Sequence, residues 1–492
     1  MCALGRTTDG RGWSLSTNAT RWPGSVLVDE LAELAGVDGA RSGGHDAPPT
    51  ATVVEWSLER LSAGMTPLDL CTAALWLGLR HTRVEGRGPH GLVSHSVLAA
   101  HACATIGGSD PATAALAATQ LVVQTVGERD GSLHDEREGP TALAWFEPAR
   151  IEGDPAAAFS DAAAAGECDL ADHRWLAAAH HGRDAAVAAL ISAGAAGYHL
   201  NEHKVIYPAQ LLAWCELTGS FDPVLLRAAA RFAANHLQDP EHALSRRADA
   251  GVLADMAELL DLDDLAASPT RPSSDGPDLE RISTVATGLA RTDPRDLGPL
   301  LLGSLQDGLS PTDLVHATAL VTAARFADTS FGDRPPIGPV HAGTGANALR
   351  RCIEASTAPE AVYELALCAT ESPSLARLAR IEELSVPPSD DGAVEDLEDA
   401  LADGDPDAAA DAASAVPPDD DAAVAAAWAA VSAAGAADQS MLLHGIKHVV
   451  AMREDFAASQ HPARIWFLAA AARTAAHAAA GPTDVAEACA AS

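Results

Sequence analysis

Residues 463–481 read ARIWFLAAAARTAAHAAAG, and this stretch decides the fold class. Alanine, which loses least on entering a helix, fills most of it. Ile465, Leu468, Ala472 and Ala476 recur at the three- and four-residue spacing of one helical face. DPATAALAATQLVVQTVG (110–127) and DPVLLRAAARFAANHL (222–237) repeat the pattern. Alternating runs of Val, Ile and Thr, the mark of half-buried strands, are nearly absent. The spacing predicts an all-α protein.

Acidic residues number 68 against 32 basic ones, a formal charge of −36. No basic patch interrupts this field, so nucleic acid and anionic membrane surfaces are excluded as partners. Lys204 and Lys447 are the only lysines, and every other cation is arginine. An acidic, lysine-poor surface suits a cytoplasm at molar salt, where the screening length falls to roughly 3 Å and self-repulsion is damped. The chain therefore reads as a cytoplasmic protein of an extreme halophile. No apolar run approaches the roughly 18 residues of a membrane span, and MCALGRTTDGRGW at the start has no hydrophobic signal core. The eight cysteines are scattered without a CxxC pair and read as buried small residues in a reducing compartment.

Residues 1–53, rich in Gly, Ser and Thr, read as a loosely ordered N-terminal segment. Beyond them the chain repeats itself. TPLDL (66–70) returns as SPTDL (310–314), both with a Ser or Thr N-cap, a proline in the first turn and an aspartate three residues after the cap. GRGPHGLVSH (86–95) is echoed by GDRPPIGPVH (332–341), which aligns His95 with His341. His199-x-x-x-His203 is echoed by His444-x-x-x-His448. These pairs lie 244 to 246 positions apart. They predict two homologous helical halves, 54–262 and 298–485, packed about a pseudo-two-fold axis. A linker would span 263–297, including the loop SPTRPSSDGPD (268–278), and an acidic insertion with short solvated helices would span 385–421.

The duplication gives the histidines one shared explanation. Imidazoles at i and i+4 share a helical face, so His199 with His203 and His444 with His448 can meet one ligand. His95 and His341 follow Gly/Pro-rich loops and are expected in the first turn of a helix, where the dipole disfavours imidazolium. If the two halves meet, His95, His199, His203, His341, His444 and His448 would line one cavity and form a candidate site for an iron or zinc ion. Lys204 and Lys447 would anchor an acidic or phenolate ligand there, or reach solvent about 100° round the helix, Lys447 more so than Lys204. HLNEH, with His199, Glu202 and His203, also matches the H-x-x-E-H zinc signature, for which Glu280 is a nominal further ligand. Asp313 and His316 have the i, i+3 spacing of di-iron bundles, although the companion glutamates are missing.

GYHLNEHKVIYPAQLLAWCEL (197–217) resembles a histidine-rich helical family in which a Gly-His-Lys-x-Ile-Tyr segment opens a helix. ARFADTSFGDRPPIGPVHAGTGANAL (324–349) resembles its companion segment, in which Arg, Phe and Asp lead into a histidine helix with a later Asn. Glu202 stands where the family has glycine, and Val340 where it has a second histidine. The resemblance extends to questin-oxidase-like proteins and to helical regions beside Rieske modules. It implies roles for His203, Lys204, Tyr207, Asp333, His341 and Asn347, an oxygen-dependent or electron-transfer setting, and a separate electron-transfer partner. The expectation is an oxidoreductase acting on a small organic molecule, with His203, His341, Lys204 and Tyr207 in catalytic roles. The alternatives are a non-catalytic helical scaffold or ligand-binding protein, and a zinc-dependent hydrolase.

Overall fold

The computed structural model describes residues 26–35, 48–81, 94–128, 151, 153–198, 201–235, 277–293, 297–333, 335–356, 365–366, 368, 374–437, 443–480, 485–486 and 489. Every regular element among them is helical, as the alanine-rich periodicity predicts. The leading helices are α1 (Val26–Leu34), α2 (Thr50–Ser62), α3 (Pro67–His81), α4 (His95–Thr105) and α5 (Pro111–Glu128). After them come α6 (Pro155–Ala164), α7 (Cys168–His181), α8 (Arg183–Ala195), α9 (His203–Thr218) and α10 (Arg227–Ala234). The second set is α11 (Leu279–Arg291), α12 (Leu297–Gln306), α13 (Pro311–Asp328), α14 (Val340–Ala355), α15 (Ala393–Asp403), α16 (Pro406–Ser414), α17 (Asp421–Gly435), α18 (His444–Ala458) and α19 (Ile465–Ala479).

The two matched helix starts share one device. The Thr66 hydroxyl donates to Asp69 Oδ2 at 2.7 Å, and the Asp69 amide donates back to the Thr66 hydroxyl at 3.2 Å. Ser310 and Asp313 repeat the exchange at 2.8 and 3.1 Å. Each pair satisfies amides that a helix N-terminus otherwise leaves orphaned.

Four helices form the centre. α4 packs against α9, α9 against α14, α14 against α18, and α18 closes the ring on α4. α3 backs α4 as α13 backs α14, and α10 backs α9 as α19 backs α18. Small residues permit this closeness. From Leu468 to Ala472 every side chain of α19 is fully buried, and alanine lets neighbouring backbones approach.

Some segments differ from the sequence reading. α11 occupies much of the expected linker and packs its Ile282, Ala286 and Leu289 face against α13. The acidic stretch 385–421 contains α15 and α16, which lean on α19 rather than standing free in solvent. Leu397 and Leu401 face inward from α15, while Glu395, Asp396, Glu398 and Asp399 face out. In the N-terminal segment expected to be loosely ordered, α1 packs on α3, and residues 1–25 and 36–47 lie outside the described residues. So does most of the loop 268–278. No helix among the described residues is long and apolar enough to cross a membrane.

Candidate functional site

Each of the four central helices contributes a histidine from its first turn. His95, His203 and His444 are the first residues of α4, α9 and α18, and His341 is the second of α14. Their rings follow the order in which the helices touch. Centroids are 5.8 Å apart for His95 and His203, 4.5 Å for His203 and His341, 4.9 Å for His341 and His444, and 4.8 Å for His444 and His95. The Nε2 atoms of His341 and His444 face each other at 2.9 Å. One nitrogen from each of His95, His203 and His444 lies within 4.8 Å of the others. Imidazoles sharing one ion at about 2.1 Å put neighbouring centroids roughly 5 Å apart; the nitrogens that converge so far are those of His95, His203 and His444, with His341 beside this trio against His203 and His444.

Local chemistry fixes the imidazoles. The Asn201 side-chain oxygen accepts from the His203 amide at 3.0 Å and lies 2.7 Å from His203 Nδ1. Nδ1 therefore carries the proton and donates it to Asn201, leaving Nε2 with a lone pair. That Nε2 is buried and has no hydrogen-bond partner. On α4, Ser94 caps the helix by accepting from the Val97 amide. Glu128, at the end of α5, accepts from the Ser94 hydroxyl and from the Ser96 amide and hydroxyl. Its carboxylate lies 3.9 Å from His95 Nδ1, beyond hydrogen-bond distance but on the side of the ring where an outer carboxylate supports a metal-bound histidine. Before His444, Leu443 takes φ 60°, the only positive φ outside glycine among the described residues. Such a conformation costs on the order of 1–2 kcal/mol, and Leu443 is held in it by complete burial.

His203 and His341 are held neutral. Burial pushes His341 down to about 3, with Lys447 adding to the effect. Burial likewise lowers His203 well below its usual range, assisted by His341, His95 and Lys447. The sequence expectation of neutral rings at helix starts therefore holds for His341 chiefly through desolvation. Neutral nitrogen is what a metal ion requires of histidine.

The two lysines part company. The Lys204 ammonium donates to the Ala233 carbonyl at 3.0 Å, at the end of α10. Its stem fills the space a side chain on Gly197 would need. Lys447 is also buried, and it is the lysine whose charge His203 and His341 feel. Neither reaches solvent, and the order of preference is reversed: Lys447 rather than Lys204 belongs to the imidazole ring.

Other expected residues fall elsewhere. His448, one turn beyond His444, packs on Phe326 at 4.5 Å and pairs its Nδ1 with the Thr474 hydroxyl at 2.8 Å. Its Nε2 abuts Gly343, where any side chain would collide with it. His199 lies outside the described residues. Tyr207 is buried one turn after His203 and stacks on Phe232 at 5.7 Å, and its hydroxyl makes no hydrogen bond. Burial and the Glu128 charge push that phenol upward. Asp333 is exposed, and Asn347 ties α14 to α18 through Ala451 and Asp455.

The H-x-x-E-H reading fails on backbone geometry. Residues 196–198 turn, and α9 starts only at His203, so the motif does not lie along one helix. Glu202 accepts from the Ser374 amide, and Glu280 is exposed on α11. Asp313 is held by Ser310 and His316 by Ser459. Sequence reasoning missed Glu128 and Asn201, and it aligned His203 with His448. At the level of the site, His203 corresponds to His444, since both open their helices. The chain matches no protein-family model, and neither a curated protein nor a solved structure is measurably similar to it.

Proposed function

We propose that the chain is a metal-dependent oxidoreductase whose ion is held by His95, His203, His341 and His444. The observation carrying this reading is the closed ring of four imidazoles, one from each central helix, with an unpartnered Nε2 on His203. Imidazole donors suit iron, copper, nickel and zinc. Structural zinc sites take cysteine-rich sets, and catalytic zinc keeps a position open beyond three protein ligands. The same nitrogens would hold zinc, but an oxidoreductase would need a redox-active iron or copper ion in their grasp. When bound, such an ion would supply one-electron chemistry.

The protein's own groups do the rest. Asn201 fixes the orientation of His203, and Glu128 stands 3.9 Å from His95 Nδ1, within reach of its charge. Four helix N-termini and Lys447 lay a positive field over the site, which favours an anionic substrate such as a carboxylate or phenolate. The Tyr207 hydroxyl, buried without a partner one turn from His203, is suited to donate a hydrogen bond to it.

The recurring neighbour order of the two helix sets supports an ancestral duplication, with the site at the seam. The acidic, lysine-poor composition supports a cytoplasm at high salt, and a separate protein would carry the electrons. Elemental analysis of protein purified at high salt tests the reading. About one iron or copper per chain, with an electron paramagnetic resonance signal changed by a carboxylate or phenolate, is expected. Zinc alone, or no bound metal, would refute it.

A further inference from the structure

A second polar cleft lies on the same pair of helices, at their opposite ends. Arg350 is nine residues beyond His341 on α14, and Asp455 is eleven beyond His444 on α18, which sets the two sites roughly 15 Å apart. The cleft has a volume of about 350 Å³, at the small end of ligand pockets. Ala319, Ile353 and Phe467 form its apolar wall. Its charged lining is Asp313, Glu354, Asp455 and Arg350, with His316 beside them.

The charges do not balance. Arg350 is the one cation in this lining, and it is already committed. Its Nε donates to Asp455 Oδ1 at 2.7 Å and its Nη1 to Glu354 at 2.8 Å. Asn347 donates to the same Asp455 Oδ1 at 2.9 Å. All of the donors found on Asp455 are therefore on one oxygen. Oδ2 is buried with no hydrogen-bond partner, on a residue only 2% exposed. Burial raises the Asp455 carboxyl, and Arg350 and Asn347 pull it back down; as a carboxylate its oxygen is acceptor-only, and leaving it buried and unmet is costly. His316, which burial lowers to about 4, brings no compensating charge at neutral pH. Three carboxylates thus face one guanidinium around a cavity large enough for a few heavy atoms.

We infer that this cleft binds a small organic cation, an ammonium or guanidinium on a short alkyl arm, with its N–H donated to Asp455 Oδ2. The arm lies along Ala319, Ile353 and Phe467. Asp313 and Glu354 supply the long-range attraction. The inference is independent of the metal reading, because none of these residues belongs to the imidazole ring.

The test is a titration of the whole chain with n-butylammonium and, separately, with butanoate at matched ionic strength, followed by isothermal calorimetry. Saturable binding of the amine, at least tenfold tighter than the acid, is expected. Asp455→Asn should weaken the amine at least tenfold. Because that change touches a buried pair, Ala319→Leu is the companion: it fills the cleft without removing a charge and should also abolish binding. Glu354→Gln, on the exposed rim, should weaken it severalfold. Preference for butanoate, binding untouched by Ala319→Leu, or no saturable binding, as for a cleft that holds water only, would overturn the inference. Metal content should be unchanged throughout.

Discussion

NEHKVIY (201–207) and HGIKHVV (444–450) each open a helix on a histidine of the ring, yet their lysines do different things. On α9 the lysine follows the histidine directly. A step of about 100° turns it away, and Lys204 ends on the Ala233 carbonyl. On α18 the lysine comes three residues later, nearly one full turn, so Lys447 stays on the imidazole side and acts on His203 and His341. The next place also differs. Tyr207 offers an unpartnered hydroxyl, whereas His448 is locked by Thr474 and Phe326. Counting from the first helical residue, rather than matching residue types between the segments, predicts which side chains meet.

The strongest way to break this comparison is to remove both opening histidines. A His203→Ala, His444→Ala double variant should lose the ion altogether, falling from about one per chain to under about 0.1, with helix content by circular dichroism kept. If it retains its metal, the two segments do not share a site. The next effect is on the outer carboxylate. Glu128→Gln should weaken metal affinity by about 10- to 100-fold in a competition assay with a chelator, as losses of such partners do. Unchanged affinity would reduce Glu128 to a cap for α4.

The lysines sharpen the contrast. Lys447→Met removes a cation beside the imidazoles, so a divalent ion should bind more tightly, by about tenfold at low salt. Lys204→Met should leave metal affinity alone and alter stability instead. Burial lowers Lys204 to about 8, while the unfolded chain keeps that proton to about 10.5. Between those pH values the unfolded state binds more protons, so the wild type gains stability with rising pH. At pH 7 the variant should be the more stable. Its advantage should shrink by on the order of 3 kcal/mol between pH 8 and 10.5, read from denaturant titrations. A constant difference across that range would mean that Lys204 is not held where the structure has it. The smallest effect concerns the paired caps. Thr66→Ala and Ser310→Ala should each cost about 1 kcal/mol, with the buried Ser310 the more expensive.

Much of the fold was legible because helices announce themselves locally. Alanine periodicity gave the class, and the Thr66 and Ser310 caps gave two helix starts to the residue. His95 and His341 could be placed at helix starts because Gly/Pro-rich loops precede them. The pairing of His203 with His444 was not legible. A constant offset of 245 aligns His203 with His448, but α9 starts at His203 itself and α18 at His444, and no periodicity reports that shift. Glu128 was hidden for another reason. It ends a helix 33 positions after His95 and reaches it only because α5 packs along α4. Likewise the acidic stretch 385–421 reads as solvated from its charge, although Leu397 and Leu401 already supply an inward face.

The most direct measurement is X-ray absorption on the ion retained by the intact protein. One ion per chain with a shell of about four imidazole nitrogens near 2.1 Å is expected, lost in the His203→Ala, His444→Ala variant. An ion ligated by sulfur or by carboxylate oxygen alone, or a spectrum that the double variant leaves unchanged, would contradict it.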